Sequence, residues 1–271
     1  MADSLKIGVV GASGRMGRML TNIISNTSGC EIAGATEAPD SESLGEDSGI
    51  LAGVGKNNIP ISDNPKAMFS VVDVVVDFTA PQATISHIEI ATETGCPIVI
   101  GTTGMDDGNI SQLKEASKSI PIIRAPNMSA GVNLMFSLAR QVARTLDEEF
   151  DIEIFESHHR HKVDAPSGTA LGLGEAAAQG RGVDFDKVKV LSREGITGER
   201  EPGRIGFSTM RAGDIVGTHT VVFASQGEQI EITHRATDRA IFARGAVRAA
   251  IWISSQPSGL YSMADVLGLP D

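Results

Sequence analysis

The strongest constraint on this chain is seven residues long. Leu5 to Val10 is an apolar run that reads as a buried strand. It leads directly into Gly11-Ala12-Ser13-Gly14-Arg15-Met16-Gly17, and the pattern then turns helical from Arg15 to about Ser25. So abrupt a turn needs glycine where φ is positive and where backbone must approach a ligand. The helix start offers unpaired N–H groups and a partial positive charge, which suit a pyrophosphate. The spacing is G-x-x-G-x-x-G rather than the common G-x-G-x-x-G. Glu37 ends the next strand, 20 residues beyond Gly17, where a carboxylate accepts both hydroxyls of an adenosine ribose. Together these predict a dinucleotide site of Gly11, Ala12, Ser13, Gly14, Arg15, Met16 and Glu37.

The stretch after the loop alternates. A strand at Glu31–Thr36 is followed by a polar, Gly-rich segment from Ala38 to Asn58, read as an irregular connection. Val71–Phe78 is rich in valine and reads as a strand buried on both faces. A helix then runs from Pro81 to about Glu93, closed by Gly95. Pro97–Gly101 and Pro121–Arg124 are further strands, separated by a helix near Asp106–Ser117. Such alternation predicts a Rossmann-type, doubly wound parallel sheet of the α/β class. Ligands of open parallel sheets collect at the carboxyl ends of strands. Gly101, Thr102 and Thr103 follow one strand, and Ala125, Pro126, Asn127 and Met128 another. Both groups are assigned to a nicotinamide pocket.

Beyond Met128 the pattern changes to an α+β one. A long helix spans Ser129–Leu146, a strand Asp151–Ser157, a polar loop His158–Pro166, and a new helix starts near Ser167. Lys187 to His234 is mostly strand-like, with a hairpin turn expected at Ala212-Gly213-Asp214. The last helix covers about Arg239–Ile253, and periodicity does not settle which domain it joins.

At 271 residues the chain fits two domains or one large one. Its 34 acidic against 23 basic residues give a net charge of −11, which argues against a nucleic acid partner. Two cysteines, Cys30 and Cys96, form no metal or redox motif, so a reduced, cytoplasmic protein is expected. The first residues lack the basic and long apolar regions of a signal peptide, and no apolar run is long enough for a membrane span.

The sharpest feature after the glycine loop is Glu156-Ser157-His158-His159-Arg160-His161-Lys162-Val163-Asp164-Ala165-Pro166-Ser167-Gly168-Thr169-Ala170. Three of the six histidines fall within four positions of a chain whose net charge is −11. Cationic groups concentrated against the overall charge suggest an anionic small molecule. The helix start at Ser167, Gly168 and Thr169 is a second anion site, fit for a carboxylate. Lys162 beside it suits a proton donor. A solvated charge run is the bland reading, and the adjoining Pro-Ser-Gly-Thr argues against it. Three histidines also suit zinc, but Arg160 and Lys162 between them repel a dication, so no metal is expected. His87 and His219 read as core histidines, and His234 as structural or cleft-lining.

These residues carry a resemblance. Glu156 to Ala170 resembles the signature of the dihydrodipicolinate reductase family, and Gly11–Gly17, Gly101–Gly104 and Ala125–Met128 resemble its cofactor loops in order. Ser192–Gly195, Gly213–Gly217 and Gly245–Arg248 are also similar to family stretches. The resemblance implies a dinucleotide-binding domain of residues 1–129 with 241–271. It implies a substrate-binding and tetramerisation domain, 130–240, with an open mixed sheet. The implied reaction reduces 4-hydroxy-tetrahydrodipicolinate with NAD(P)H to tetrahydrodipicolinate, in lysine and diaminopimelate biosynthesis. By position, His158 and Lys162 are the acid/base pair, and His159, Ser167, Gly168 and Thr169 hold the carboxylates of a small dicarboxylate substrate. A homotetramer is expected. NADH is the expected cofactor, with NADPH as the alternative, because Glu37 repels a 2′-phosphate and Ala38 and Ala80 supply no guanidinium. Two rival functions are a dinucleotide sensor without catalysis and a metal-dependent hydrolase built on the histidines. The sensor needs no proton donor, yet Lys162 and His158 are present.

Overall fold

Short β-branched runs, apolar on both faces and bounded by glycine or proline, are the natural centre of a parallel sheet. In the computed structural model, which describes residues 4–270, they form one. Met1, Ala2 and Asp3, on which the leader reading partly falls, and Asp271 lie outside the described residues. The elements run β1 (Leu5–Val10), α1 (Arg15–Ser25), β2 (Cys30–Thr36), α2 (Ser48–Leu51), β3 (Ile61–Ser62), α3 (Pro65–Phe69), β4 (Val74–Asp77), α4 (Pro81–Thr94), β5 (Ile98–Ile100), α5 (Asp107–Ala116) and β6 (Pro121–Arg124). They continue with α6 (Ala130–Thr145), β7 (Asp151–His158), α7 (Gly168–Arg181), α8 (Phe185–Val188), β8 (Lys189–Val190), β9 (Ile205–Arg211), β10 (Gly217–Ser225) and β11 (Glu228–Ala236). The chain closes with α9 (Ala240–Ile253), β12 (Gly259–Tyr261) and α10 (Met263–Leu267). Two compact units result, residues 4–129 with 240–268, and 130–239 with 269–270.

The first unit is a seven-stranded parallel sheet in the order β12-β6-β5-β4-β1-β2-β3. The winding reverses between β1 and β4, so the loops after these strands open a crevice where nucleotides bind in such sheets. Val74 and Val76 pack with Leu20, Ile24 and Val247 on one face. Val75 packs with Phe69, Ile88 and Leu113 on the other. Helix α9 lies on the first face beside α1, and Gly245 permits it: a Cβ there would sit 1.8 Å from the Met128 carbonyl oxygen. The connection expected at 38–58 holds the short α2, capped by the Asp47 carboxylate. The two-residue β3 and the helix α3 escape periodicity because neither completes a pattern.

The second unit is a five-stranded mixed sheet, β11-β10-β7-β9-β8. The expected hairpin at Ala212–Asp214 does not form. Strands β9 and β10 lie on opposite sides of β7, parallel and antiparallel to it, and do not pair with each other. The turn residues instead fold onto the end of β7, where the Ala212 N–H donates to the His158 carbonyl and the Arg160 N–H to that of Gly213. The tight hairpin is the next one, β10 to β11 across Gln226-Gly227, with Gly227 at φ 92°. Residues 191–204, expected to be strand-like, contain no strand. Arg193 and Arg200 there bond the Glu153 carboxylate instead of extending the ladder.

Alternation decides which strand residues reach the site. Ile152 and Ile154 pack under α6 and α7 with Ile205, Phe207, Val221 and Phe223. The same period carries Glu156 and His158 on β7, Arg211 on β9 and His219 on β10 to that face. The opposite face presents Phe155 and Met210, 48% and 54% exposed.

Candidate active site

At the end of β1, Gly11 has φ 67°, and a Cβ there would meet Thr79 at 2.9 Å. Gly14 is the N-cap of α1, and no side chain caps that helix. A Cβ on Gly17 would lie 2.1 Å from the Gly11 carbonyl oxygen. The loop is therefore a cradle that side chains would fill. Glu37 closes it: one carboxylate oxygen accepts from the Ser13 N–H at 3.0 Å and the Ser13 hydroxyl at 2.9 Å, the other from the Ala38 N–H at 3.1 Å. Ala12 is buried, Met16 packs on the core beneath the loop, and Arg15 is exposed. Arg18 donates from Nε to the Ser13 carbonyl at 2.7 Å, which sets a guanidinium beside the loop. An uncapped helix start, a cradle without Cβ atoms and a facing carboxylate fit a dinucleotide.

The other cofactor candidates emerge from the same edge of the sheet. Gly101 and Thr102 are buried at the end of β5 and Thr103 is exposed. After β6, Ala125 and Met128 are buried, Pro126 is exposed, and Asn127 accepts from the Ser129 N–H at 2.9 Å. Sequence reasoning missed Asp77 at the end of β4. Its carboxylate is fully buried and receives the Thr79 N–H and hydroxyl at 2.8 and 2.6 Å, the Thr102 hydroxyl at 3.2 Å, and His87 Nδ1 at 2.8 Å. Burial pushes this carboxyl up, but the bonds from His87 and Thr79 outweigh it and hold it below the usual range. His87, read as a core histidine, is the partner of this carboxylate.

In the second unit Glu156 is the hub, and it too went unassigned in the sequence. One oxygen accepts the Ser167 N–H at 2.9 Å and Arg211 Nη2 at 2.8 Å. The other accepts Arg211 Nη1 at 2.8 Å and His158 Nδ1 at 2.6 Å. Burial raises this carboxyl, yet bonds from His158, Arg211 and Ser167 prevail and bring it down to about 2. His158 and the start of α7 thus share one ionised carboxylate. Ser167 is the N-cap of α7, its hydroxyl accepting from the Ala170 N–H at 3.2 Å. Gly168 and the half-buried Thr169 form the first turn.

His219, read as a core histidine, is buried but belongs to this cluster. Its Nε2 lies 3.0 Å from the Ser167 hydroxyl, and its ring stands edge-on to that of His158 at 5.1 Å. Burial, then the charge of His158, lowers its pKa to about 4, so the ring is neutral. His234 pairs with it across β10 and β11. Lys162 and His158 share no hydrogen bond: Lys162 donates to Asp164 at 2.8 Å. His159 accepts from Arg239 at 3.2 Å, and desolvation followed by that guanidinium holds it below its ordinary value. Among the described residues, no group of three or more histidines, cysteines and carboxylates is placed to hold a metal ion. No described helix is long and apolar enough to cross a membrane.

A glycine loop at the switch point of a parallel sheet, followed by a mixed-sheet unit, defines a Rossmann-type oxidoreductase. Two family models match, dihydrodipicolinate reductase N-terminus over residues 5–128 and C-terminus over 131–267. The chain belongs to the dihydrodipicolinate reductase family. A relative named 4-hydroxy-tetrahydrodipicolinate reductase from Afipia carboxidovorans is 52% identical, covering 99% of this chain and 98% of that one. One of the same name from Thiobacillus denitrificans is 48% identical, covering 98% and 99%. A solved dipicolinate-bound dihydrodipicolinate reductase from Paenisporosarcina sp. shares the fold at TM-score 0.75 and 22% identity, covering 97% of this chain and 98% of that one.

Proposed function

We propose that this chain reduces 4-hydroxy-tetrahydrodipicolinate to tetrahydrodipicolinate, the reductive step in lysine and diaminopimelate biosynthesis that its family name describes. The observation that carries the reading is the single carboxylate of Glu156, which ties His158 to an anion-accepting helix start in a chain that also bears a dinucleotide loop. One hydride and one proton enter, and one water leaves. Bound NAD(P)H supplies the hydride.

The chain's own residues do the rest. The N–H groups at the start of α1 hold the pyrophosphate, and Glu37 exchanges its bonds to Ser13 for the ribose hydroxyls. Thr102, Thr103 and the loop from Ala125 to Met128 surround the nicotinamide. His159, Ser167, Gly168 and Thr169 take the substrate carboxylates, the last three at the start of α7. His158 and Lys162 provide the proton. NADH is preferred, because Glu37 opposes a 2′-phosphate while Ala38 and Ala80 offset nothing. Two free cysteines fit a reducing, cytoplasmic setting, and the apolar exposure of Phe155 and Met210 on the open sheet face supports a homotetramer built across it.

The test is NADH consumption with freshly prepared substrate, before and after exhaustive chelation. One NADH per tetrahydrodipicolinate, unchanged by chelation, is expected. NADH binding without turnover would favour a sensor, and loss on chelation a metal enzyme.

A further inference from the structure

Glu156 lies outside the residues assigned to the reaction, yet its carboxylate is 1% exposed and fully engaged. An ionised carboxylate only accepts hydrogen bonds and has about four lone-pair sites. Four donors occupy them: Ser167 N–H, His158 Nδ1 and both terminal nitrogens of Arg211. The nitrogen of His158 that meets this carboxylate must therefore carry a proton. In the neutral ring that leaves Nε2 as the bare nitrogen, and it has no hydrogen-bond partner among the described residues. Gly217 keeps this edge of the ring uncrowded. A Cβ there would come within 3.1 Å of His158 Nε2, tighter than ordinary contact.

The opposite surroundings of the two edge-on histidines complete the device. His219 has no carboxylate partner, and burial keeps it neutral. His158, against its edge, has Glu156 as counter-ion. Only one of the pair is equipped to take on a proton, and it is the one whose Nε2 is open.

We propose that Glu156 is a positioning residue that locks His158 in the Nδ1-protonated form, with Nε2 as the working nitrogen, and fixes it to the carboxylate-binding start of α7. This rests on the reading of His158 as proton donor and deepens it: Nε2 takes a proton from solvent, the resulting imidazolium faces the Glu156 carboxylate, and Nε2 passes that proton to the substrate, returning to the bare form. The arrangement parallels the general case in which a buried carboxylate holds a histidine tautomer for acid–base work, where loss of the carboxylate charge costs about 10⁴-fold in turnover. Arg211 neutralises the carboxylate without competing for His158, since it bonds both oxygens and leaves the ring nitrogen its place.

The experiment has two parts. In the unmodified protein labelled with ¹⁵N-histidine, NMR at a pH where the His158 ring is neutral should find the proton of His158 on Nδ1, assigned by its loss in His158→Gln. A proton on Nε2 overturns the proposal without any variant having to fold. Glu156→Gln should then lower kcat roughly 10²–10⁴-fold, leave the KM for NADH within about twofold, and mix or invert the tautomer. Gly217→Ala should lower kcat with the tautomer retained. Unchanged kcat and tautomer in Glu156→Gln would contradict the positioning role. An active His158→Ala would instead remove the proton-donor reading, whatever tautomer the native ring adopts, so the two failures are distinguishable.

Discussion

The starts of α1 and α7 are built in opposite ways. At α1 the residues are defined by what they lack: Gly11, Gly14 and Gly17 leave room, no side chain caps the helix, and a lone carboxylate stands opposite. At α7 the start is crowded with function, Ser167 capping it, Glu156 bonding the Ser167 N–H, and Arg211, His158 and His219 packed around that carboxylate. On the proposed reading, the difference follows from what each receives. A pyrophosphate is large and delocalised, and backbone amides at close approach hold it without discriminating side chains. A small dicarboxylate that must also be protonated needs fixed donors and a proton held at a defined atom. Space serves the first, and charge held in a hydrogen-bond network serves the second.

The contrast is broken most sharply at Lys162. Lys162→Ala should lower kcat roughly 10²–10⁴-fold, the usual worth of a general acid, while NADH affinity stays unchanged because no residue of the α1 cradle is touched. Near-normal kcat would reduce Lys162 to a surface charge paired with Asp164. Cofactor choice is the next largest effect. Losing a charge-assisted contact is worth about 1.5–3 kcal/mol, so kcat/KM should favour NADH over NADPH by roughly ten- to a hundredfold. Arg18, already beside Ser13, places the value toward the lower end, and Ala38→Arg should recover NADPH use. Equal efficiency with the two cofactors in the unmodified protein contradicts the role given to Glu37.

The smallest effect is on stability. His219 in the folded chain titrates near 4 instead of 6.5, so between these values the unfolded chain binds the extra proton. Stability from this group is complete above about pH 6.5 and falls as pH drops toward about 4. Denaturant unfolding across that window should show a shallower decline in His219→Gln than in the unmodified protein. Parallel curves would mean that His219 is not held neutral by the fold.

Much of this was legible in the residues. The glycine loop and valine-rich strands specify their elements locally, and β1, α1 and β6 fall where the pattern puts them. The lysine and histidine cluster stands out because it runs against the net charge. The hairpin misread at Ala212–Asp214 has another origin: turn residues specify a reversal but not which strands lie on either side, and β7 enters between β9 and β10 from far upstream. Glu156 and Asp77 were hidden for the same reason. Each is a single carboxylate near a strand end, and apart from the neighbours Thr79 and His158 its partners lie 10 to 55 positions away, from His87 and Ser167 to Arg211. Alternation from Ile152 and Ile154 is the signal in the residues that could have placed Glu156 and His158 on the covered face.

The two helix starts are most directly separated by four Michaelis constants. Glu37→Ala and Thr169→Val each remove one anchoring group, and each is measured with NADH varied and with substrate varied. A charged hydrogen bond of about 1.5–3 kcal/mol corresponds to roughly tenfold or more in KM. Glu37→Ala should raise the KM for NADH by that amount and leave that for 4-hydroxy-tetrahydrodipicolinate in place, and Thr169→Val should do the reverse. If each variant shifted both constants alike, or each shifted the other's, the division of one helix start for the cofactor and one for the substrate would be contradicted.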